Sequence, residues 1–315
     1  MDAKKWQSDK IMSAFHAKVI VNPAAGANKT YKKWPQLNRL LNHIGLSFDH
    51  QYTEGEGHAI ELARNAASDG YRYLVAVGGD GTVNEVANGI LNSGNAGEVS
   101  FGVVSTGTGS DFARSAGMPM DYVNACSVLT STKRLVIDAG IVEYHKNGQK
   151  TQRYFVNAAG VGFDAAAVES TEKIPKYFGG TIPYLTGLLR TLIGYRNKSV
   201  VMDINGVSRS MKILSVIVTN GNYLGGGMHV APDAVMDDSL LDVVVIGDVG
   251  KFDLLKSLPM IYKGTHGNHP KVSIEKAAEV FIDTSERILV HADGELLGEG
   301  PASFRLLPSA LNLVV

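Results

Sequence analysis

Three glycine-rich segments hold the residues best placed to do chemistry. Gly78-Gly-Asp-Gly-Thr82 sets glycines around one carboxylate, Asp80. Glycine lets backbone amides turn toward an anion, and a helix that follows adds its N-terminal dipole, so the segment suits a phosphate group. Asp80 cannot itself ligate phosphate. Its open roles are to hold Mg²⁺ or a water on the phosphates, or to take the proton of an attacking hydroxyl. Gly107-Thr-Gly109 repeats the design, with Thr108 offering a hydroxyl and Asp111 able to cap the next helix. Asn22-Pro-Ala-Ala-Gly26 is the third segment. One such loop alone reads as a tight turn, whereas three together predict a bound ligand.

The carboxylates of the second half form two groups. Asp233, Asp237, Asp238 and Asp242 precede an apolar run without an intervening basic residue. They read equally as a solvated turn or as oxygen ligands for a hard cation such as Mg²⁺. Asp293-Gly-Glu295 has the form of a hairpin turn, and such a turn can present Glu295 to a cleft. His266 and His269 have a spacing found among metal ligands, but beside Gly264, Gly267 and Pro270 they read as a polar loop. Neither Gly79 nor Gly107 opens a complete G-x-G-x-x-G, because Asn84 and Phe112 occupy the last position. Redox dinucleotide binding thereby loses its best support. Lys29-Thr30 lacks the glycine of a Walker loop, and no G-x-S-x-G or H-E-x-x-H occurs.

The elements around these loops follow two textures. From Lys18 to Asp138, β-branched runs alternate with helix-length segments, which predicts an α/β domain with a parallel sheet. Strands are expected at Lys18–Asn22, Leu46–Tyr52, Tyr73–Val77 and Phe101–Val104, with helices over Tyr31–His43, His58–Ser68, Val83–Leu91 and from Phe112 onward. All three glycine segments then leave carboxyl ends of strands, where open α/β sheets bind ligands. From Ala139 the texture is mostly strands, which predicts an antiparallel second domain over residues 139–305. The clearest hairpin joins Ser199–Ile204 to Val207–Val218 through Asn205-Gly206. Further strands are expected at Arg153–Asn157, Leu241–Ile246, Glu279–Asp283, Ile288–His291 and Ser303–Leu307. Residues 1–15 read as a tail ahead of the first domain, 16–138.

Composition supports this division. The 315 residues suit two domains at roughly 100–200 residues each. The single cysteine, Cys126, excludes an internal disulfide and a cysteine zinc cluster, which fits the cytoplasm. A formal net charge of −1 is poor footing for nucleic-acid binding, and no apolar run has the length of a membrane span.

The full set of motifs resembles the diacylglycerol kinase catalytic family, in particular the bacterial lipid kinases related to sphingosine and ceramide kinases. The likeness rests on Asn22-Pro23 with Gly26, Thr53 with Gly57-His58-Ala59, Gly78 to Asn84 with Glu85, and Gly107-Thr108 with Asp111-Phe-Ala-Arg114. It continues through Asn157 with Gly160 and Gly162-Phe-Asp164, Asn220 with Gly225-Gly-Gly227, Pro232-Asp-Ala234 with Asp238 and Leu241-Asp242, and Asp293-Gly-Glu295. It implies an N-terminal nucleotide domain like that of NAD kinases, completed by about residues 306–315, a C-terminal β-sandwich, and ATP bound in the cleft between them. By the same resemblance, Asn22, Thr53, Gly78, Gly79, Asp80, Gly81, Thr82, Val83, Asn84 and Thr108 bind ATP. Glu295 is the proton acceptor, with Asp80 its rival, and Asp238 holds a structural Mg²⁺ with the carbonyls of Val235 and Leu240. Two positions depart from the family pattern. Ser110 stands where Asn is usual, and Ser239 where Gly is usual.

The implied reaction moves the γ-phosphate of ATP to the hydroxyl of diacylglycerol or a related neutral lipid. The alternatives are a sphingoid-base, ceramide or monoacylglycerol kinase, a soluble-metabolite kinase, and a nucleotide-binding regulator without catalysis. A helical stripe over Thr171–Tyr195, with Tyr184, Leu185, Leu188, Leu189, Leu192 and Ile193, bears on the acceptor. Between Thr171 and Lys212, seven basic residues stand against Glu172 and Asp203. This surplus predicts peripheral contact with an anionic membrane.

Overall fold

The computed structural model describes residues 16–107, 109–172 and 190–315. Thr108 and most of the helical stripe expected over Thr171–Tyr195 lie outside the described residues. The chain gathers into two compact units: one runs to Ile137 and includes Ser309–Val315, and the other is Asp138–Pro308.

In the first unit, β1 (Ala17–Val21), β2 (Phe48–Tyr52), β3 (Tyr73–Gly78) and β4 (Ser100–Ser105) form a parallel sheet in the order β2-β1-β3-β4. Helices α1 (Ala25–His43), α2 (His58–Ser68) and α3 (Asp80–Leu91) connect them. β3 is buried along its whole length, as its unbroken apolar run requires of a central parallel strand. Trp34, Leu37 and Leu41 recur at helical spacing on α1 and pack with Val19, Val75, Val77 and Cys126. Burial pushes the Cys126 thiol up to about 11, which leaves it unreactive. Short helices α4 (Asp111–Ser115) and α5 (Tyr122–Val128) follow β4. The register aligns the strand ends, since Val21 lies opposite both Tyr52 and Val77, and Gly78 opposite Ser105.

The second unit is an antiparallel sandwich. One layer contains β7 (Ala158–Gly162), β10 (Ser215–Thr219), β13 (Leu241–Ile246), β14 (Val272–Ala277) and β16 (Leu289–Ala292), in the order β14-β13-β10-β7-β16. The other contains β5 (Arg134–Lys146), β6 (Gln149–Phe155), β8 (Lys198–Ile204), β9 (Val207–Ile213) and β15 (Glu279–Asp283). The long strand β17 (Glu295–Val314) pairs with β16 and β15, and its Asn312 and Leu313 lie parallel to Ser100 and Phe101 of β4. Val216, Val218, Val243 and Val245 of the first layer share one core with Met202, Val280, Ile282 and Phe304 of the second. Each such side chain stabilises by about 1.5–3 kcal/mol. The alternate residues Ile217 and Val244 face the opposite side, toward Leu224 of β11 (Tyr223–Leu224), Met228 of β12 (Met228–His229) and Val230. A helix, α6 (Phe163–Glu172), follows β7, and a second, α7 (Lys251–Tyr262), follows β13.

Several expected boundaries change: the strand expected at Ser303–Leu307 runs over Glu295–Val314, the helix expected from Tyr31 begins at Ala25 with Gly26, Ala27 and Asn28 out of helical conformation, and three more differ as follows. Val207–Val218 is two strands, because the Leu214 N–H turns to the carbonyls of Ile246 and Gly247 and sends the chain from β8 to β7 and β13. The expected strand Arg153–Asn157 starts earlier, at Gln149, and ends at Phe155. The helix expected from Val83 starts at Asp80, because Gly79 is extended and its carbonyl already accepts from Val83.

Candidate active site

The glycine loops meet at the carboxyl edge of the parallel sheet. Asn22, Thr53 and Thr106 each follow a strand and bond back to a neighbour, through Asn22 N–H to the Val77 carbonyl, Thr53 N–H to Val21 and Thr106 N–H to Gly78, at 2.9, 2.9 and 2.7 Å. The Asn22 side chain donates to Thr82 Oγ1 at 3.0 Å and accepts from the Ala24 N–H at 3.1 Å. A Cβ on Gly107 would lie 2.7 Å from Gly79 Cα, so the two loops touch backbone to backbone. Only glycine permits that approach. No side chain caps α3, and the start of a helix offers backbone N–H groups and the positive end of its dipole, an arrangement that suits an anion.

The two acids of this region hold loops. Asp80 Oδ1 accepts the N–H of Phe112 at 3.1 Å and so joins the Gly78–Thr82 loop to α4. This corrects the expectation for Asp111, which is the first helical residue, with its carboxylate 3.7 Å from Arg114. Glu85, buried on α3, accepts from Gly57 N–H at 3.1 Å and Ala59 N–H at 3.0 Å, which fixes the loop after Thr53. The motif set gives Glu85 no role of its own, although an acid among Val83, Val86 and Ile90 signals a buried partner. Val83 and Asn84 are also buried, and Asn84 Oδ1 accepts from Asn88 at 3.1 Å. Both therefore shape the helix, while Gly79, Asp80 and Gly81 stand half-exposed at its mouth. Ser110 has φ +55° and lies 2.5 Å from Ser105 through their hydroxyls.

In the second unit, Asp293 is caged. Its Oδ2 accepts from Val156 N–H at 2.9 Å, and its Oδ1 from Asn157 and Ala158 at 3.0 and 2.7 Å. This cage fixes the start of β17 and with it Glu295, whose carboxylate meets the Arg153 guanidinium at 2.7 Å. Nearby in the same unit, buried His291 bonds Asp164 at 2.9 Å, and Asp164 accepts from Ser215 at 2.9 Å. Asp164 belongs to the motif Gly162-Phe-Asp164, whereas Arg153, His291 and Ser215 carried no sequence signal, because their partners are distant along the chain.

The Asp238 site is filled by protein. Lys276 Nζ lies 2.5 Å from Asp238 Oδ2 and 3.5 Å from Asp242 Oδ2, and the Leu240 N–H donates to Asp238 Oδ1 at 3.0 Å. Burial raises the Asp242 carboxyl above its ordinary range. Burial opposes the charge of Lys276 as well, but its two carboxylates outweigh that and raise it. Asp233 and Asp237 are exposed. Ser239 has φ +62° and donates its N–H to Asp138 Oδ2 at 2.8 Å. With Lys276 in this place, Asp238 and the turn bearing Val235 and Leu240 do not fit a resident Mg²⁺, because a dication would stand against the ammonium. Among the described residues no group of three acidic, histidine or cysteine side chains is arranged for a metal. His266 is buried on the Val230 carbonyl at 2.9 Å, and burial lowers its pKa; His269 faces Asp253 at 3.3 Å. These two form the polar loop read from the sequence.

Comparison with known proteins covers both units. Residues 16–142 match the family model described as the diacylglycerol kinase catalytic domain, and residues 157–315 that of the YegS C-terminal NAD kinase beta sandwich-like domain. A diacylglycerol kinase of Staphylococcus carnosus (strain TM300) is 28% identical over 289 residues, 91% of either chain. One of Bacillus subtilis (strain 168) is 29% identical over 301 residues, 95% of this chain and 96% of that one. A solved structure from Bacillus anthracis str. Sterne shares the fold, with a TM-score of 0.78 at 24% identity over 95% of this chain and 94% of that one. Two matched domains in the order of the two folded units, and relatives that span nearly the whole length, leave one assignment: the chain belongs to the diacylglycerol kinase family and is a phosphotransferase.

Proposed function

We propose that the protein transfers the γ-phosphate of ATP to the free hydroxyl of diacylglycerol at a membrane surface. The observation that carries this reading is the backbone contact of Gly79 with Gly107 beside the uncapped start of α3, a cradle of amides suited to the phosphates. Asn22, Thr53, Gly78 to Thr82 and Thr108 bind the nucleotide, with Val83 and Asn84 supporting them from inside α3. Mg²⁺ enters on ATP and offsets charge on the γ-phosphate.

Glu295 accepts the proton of the acceptor hydroxyl, held in place by Arg153 and by the Asp293 cage behind it. The acceptor oxygen then bonds to the γ-phosphorus, the bond from that phosphorus to the β-phosphate bridging oxygen breaks, and ADP leaves. Asp80 positions the two loops against each other and is the rival for the base. No helix among the described residues is long and apolar enough to cross a membrane.

The test is incubation with labelled ATP and Mg²⁺ and mixed micelles of diacylglycerol, monoacylglycerol, ceramide or sphingosine, with NAD as a soluble acceptor. Label in diacylglycerol that Glu295→Gln abolishes is the expected result. Label in NAD alone, or in no acceptor despite ATP binding, overturns it.

A further inference from the structure

Helix α7 turns apolar residues outward. Its inner positions Leu254, Leu258 and Ile261 line an apolar hollow of about 410 Å³, solvent-open part included, against Ile246 and Val272. Its outward positions recur at helical spacing, at 252, 255, 256, 259, 262 and 263. Phe252 is 84% exposed, Tyr262 50% and Leu255 40%, and Lys256, Pro259 and Lys263 are exposed between them. At the amino end, Lys251 donates to the carbonyl of Ile193, which is itself 78% exposed and flanked by exposed Arg190 and Arg196. The one acid of α7, Asp253, faces His269 away from this stripe, and neighbouring Asp248 is held by Asn197 and Lys212.

An apolar stripe edged by lysines is what an interfacial helix presents to a bilayer. The helix is about 18 Å long, so it can lie flat with aromatic rings at acyl depth and ammonium groups at the phosphates. A second copy of this chain is a poor occupant. Isologous pairing would bring the lysines of both stripes into one interface, with no carboxylate on either stripe to oppose them.

We propose that α7 is the surface on which the protein rests on an anionic bilayer, with Phe252, Leu255 and Tyr262 inserted and Lys256 and Lys263 at the headgroups. The proposal rests on the lipid-kinase reading above and names where that enzyme meets its substrate's membrane.

The test is cosedimentation with vesicles of phosphatidylcholine alone or mixed with phosphatidylglycerol, paired with kinase assays in detergent micelles. The expected result is binding to the anionic vesicles that weakens with salt. Lys256→Glu with Lys263→Glu, and separately Phe252→Ser with Leu255→Ser, lower it at least tenfold while micellar activity stays unchanged. Equal binding by these variants overturns the proposal, as does a lipid-free dimer that Phe252→Ser dissociates. Micellar activity without vesicle binding overturns α7 docking and leaves the kinase reading standing. Vesicle binding lost in the variants, with no phosphorylation of any lipid, supports the docking surface and removes the kinase reading.

Discussion

In the first unit, Asp80 and Glu85 give their oxygens to backbone N–H groups of adjoining loops, whereas in the second, Glu295 and Asp238 face the cations Arg153 and Lys276. The first arrangement fixes the backbone of the loops around the start of α3. The second sets each carboxylate against a cation at hydrogen-bond distance. Asp293 stands apart in the second unit, since it uses three amides as the first unit's acids do, and it does so directly beside Glu295. Geometry in the first unit is therefore set by backbone, and in the second by charge pairs built around one backbone cage.

Glu295→Gln is the sharpest division between the two. It keeps the shape and a partner for Arg153 but removes the proton acceptor, so kcat falls about 10³-fold, within the usual range for a general base. ATP affinity, measured by calorimetry, stays as in the parent. A variant with normal kcat would pass the role of base to Asp80. Asp293→Ala attacks the cage instead. Three buried N–H groups lose their acceptor, and φ +46° becomes strained for alanine, so urea unfolding shows a loss of about 3 kcal/mol or more. A loss under about 1 kcal/mol would mean that the cage is dispensable. Gly107→Ala tests the backbone rule of the first unit. A Cβ at 2.7 Å from Gly79 Cα forces the loops apart, and ATP binding weakens about 100-fold, or about 2.7 kcal/mol. Unchanged affinity would show that the loops do not bind as a pair.

The same contrast decides what was legible in the sequence. The first unit's loops carry their chemistry in glycines a few residues from the acids, so Gly78–Thr82 and Gly107 could be read together, and helix α2 has the bounds its periodicity predicts. Strands β13 and β15 also match, because each is a short apolar or alternating run between turns. Arg153 pairs with a residue 142 positions away, and Lys276 sits on an alternating strand where lysine looks like a solvated face. Helix α7 is masked in the sequence for a different reason. Pro259 lies inside it, and apolar residues on both faces erase the one-sided pattern by which surface helices are recognised. The break at Leu214 follows from hydrogen bonds to Ile246 and Gly247, which no local pattern encodes.

Lys276→Met asks whether an ammonium has replaced a metal. In the parent, Mg²⁺ leaves the thermal transition where it is, because Lys276 already neutralises Asp238 and Asp242. The variant loses about 1–2 kcal/mol, reduced from the value of a fully buried pair by the partial exposure of Lys276, and regains part of it when Mg²⁺ is added. A parent transition that rises with Mg²⁺, and no longer does so in Asp238→Asn, would restore the resident metal and reverse the comparison.

The smallest effect concerns the two serines at positive φ. Ser239, at +62°, occupies a position where glycine relieves about 1 kcal/mol of left-handed strain and gives back part of that through a more flexible unfolded chain. Ser239 is exposed, and its recorded bond to Asp138 comes from its N–H, which glycine keeps. Ser239→Gly should therefore stabilise the second unit by about 0.5 kcal/mol in urea unfolding. Ser110, at +55°, is relieved in the same way but loses the buried hydroxyl contact with Ser105 at 2.5 Å, worth about 1 kcal/mol. Ser110→Gly should be neutral or destabilising. Equal gains at both positions would show that backbone strain alone governs them and that the Ser105 contact contributes nothing.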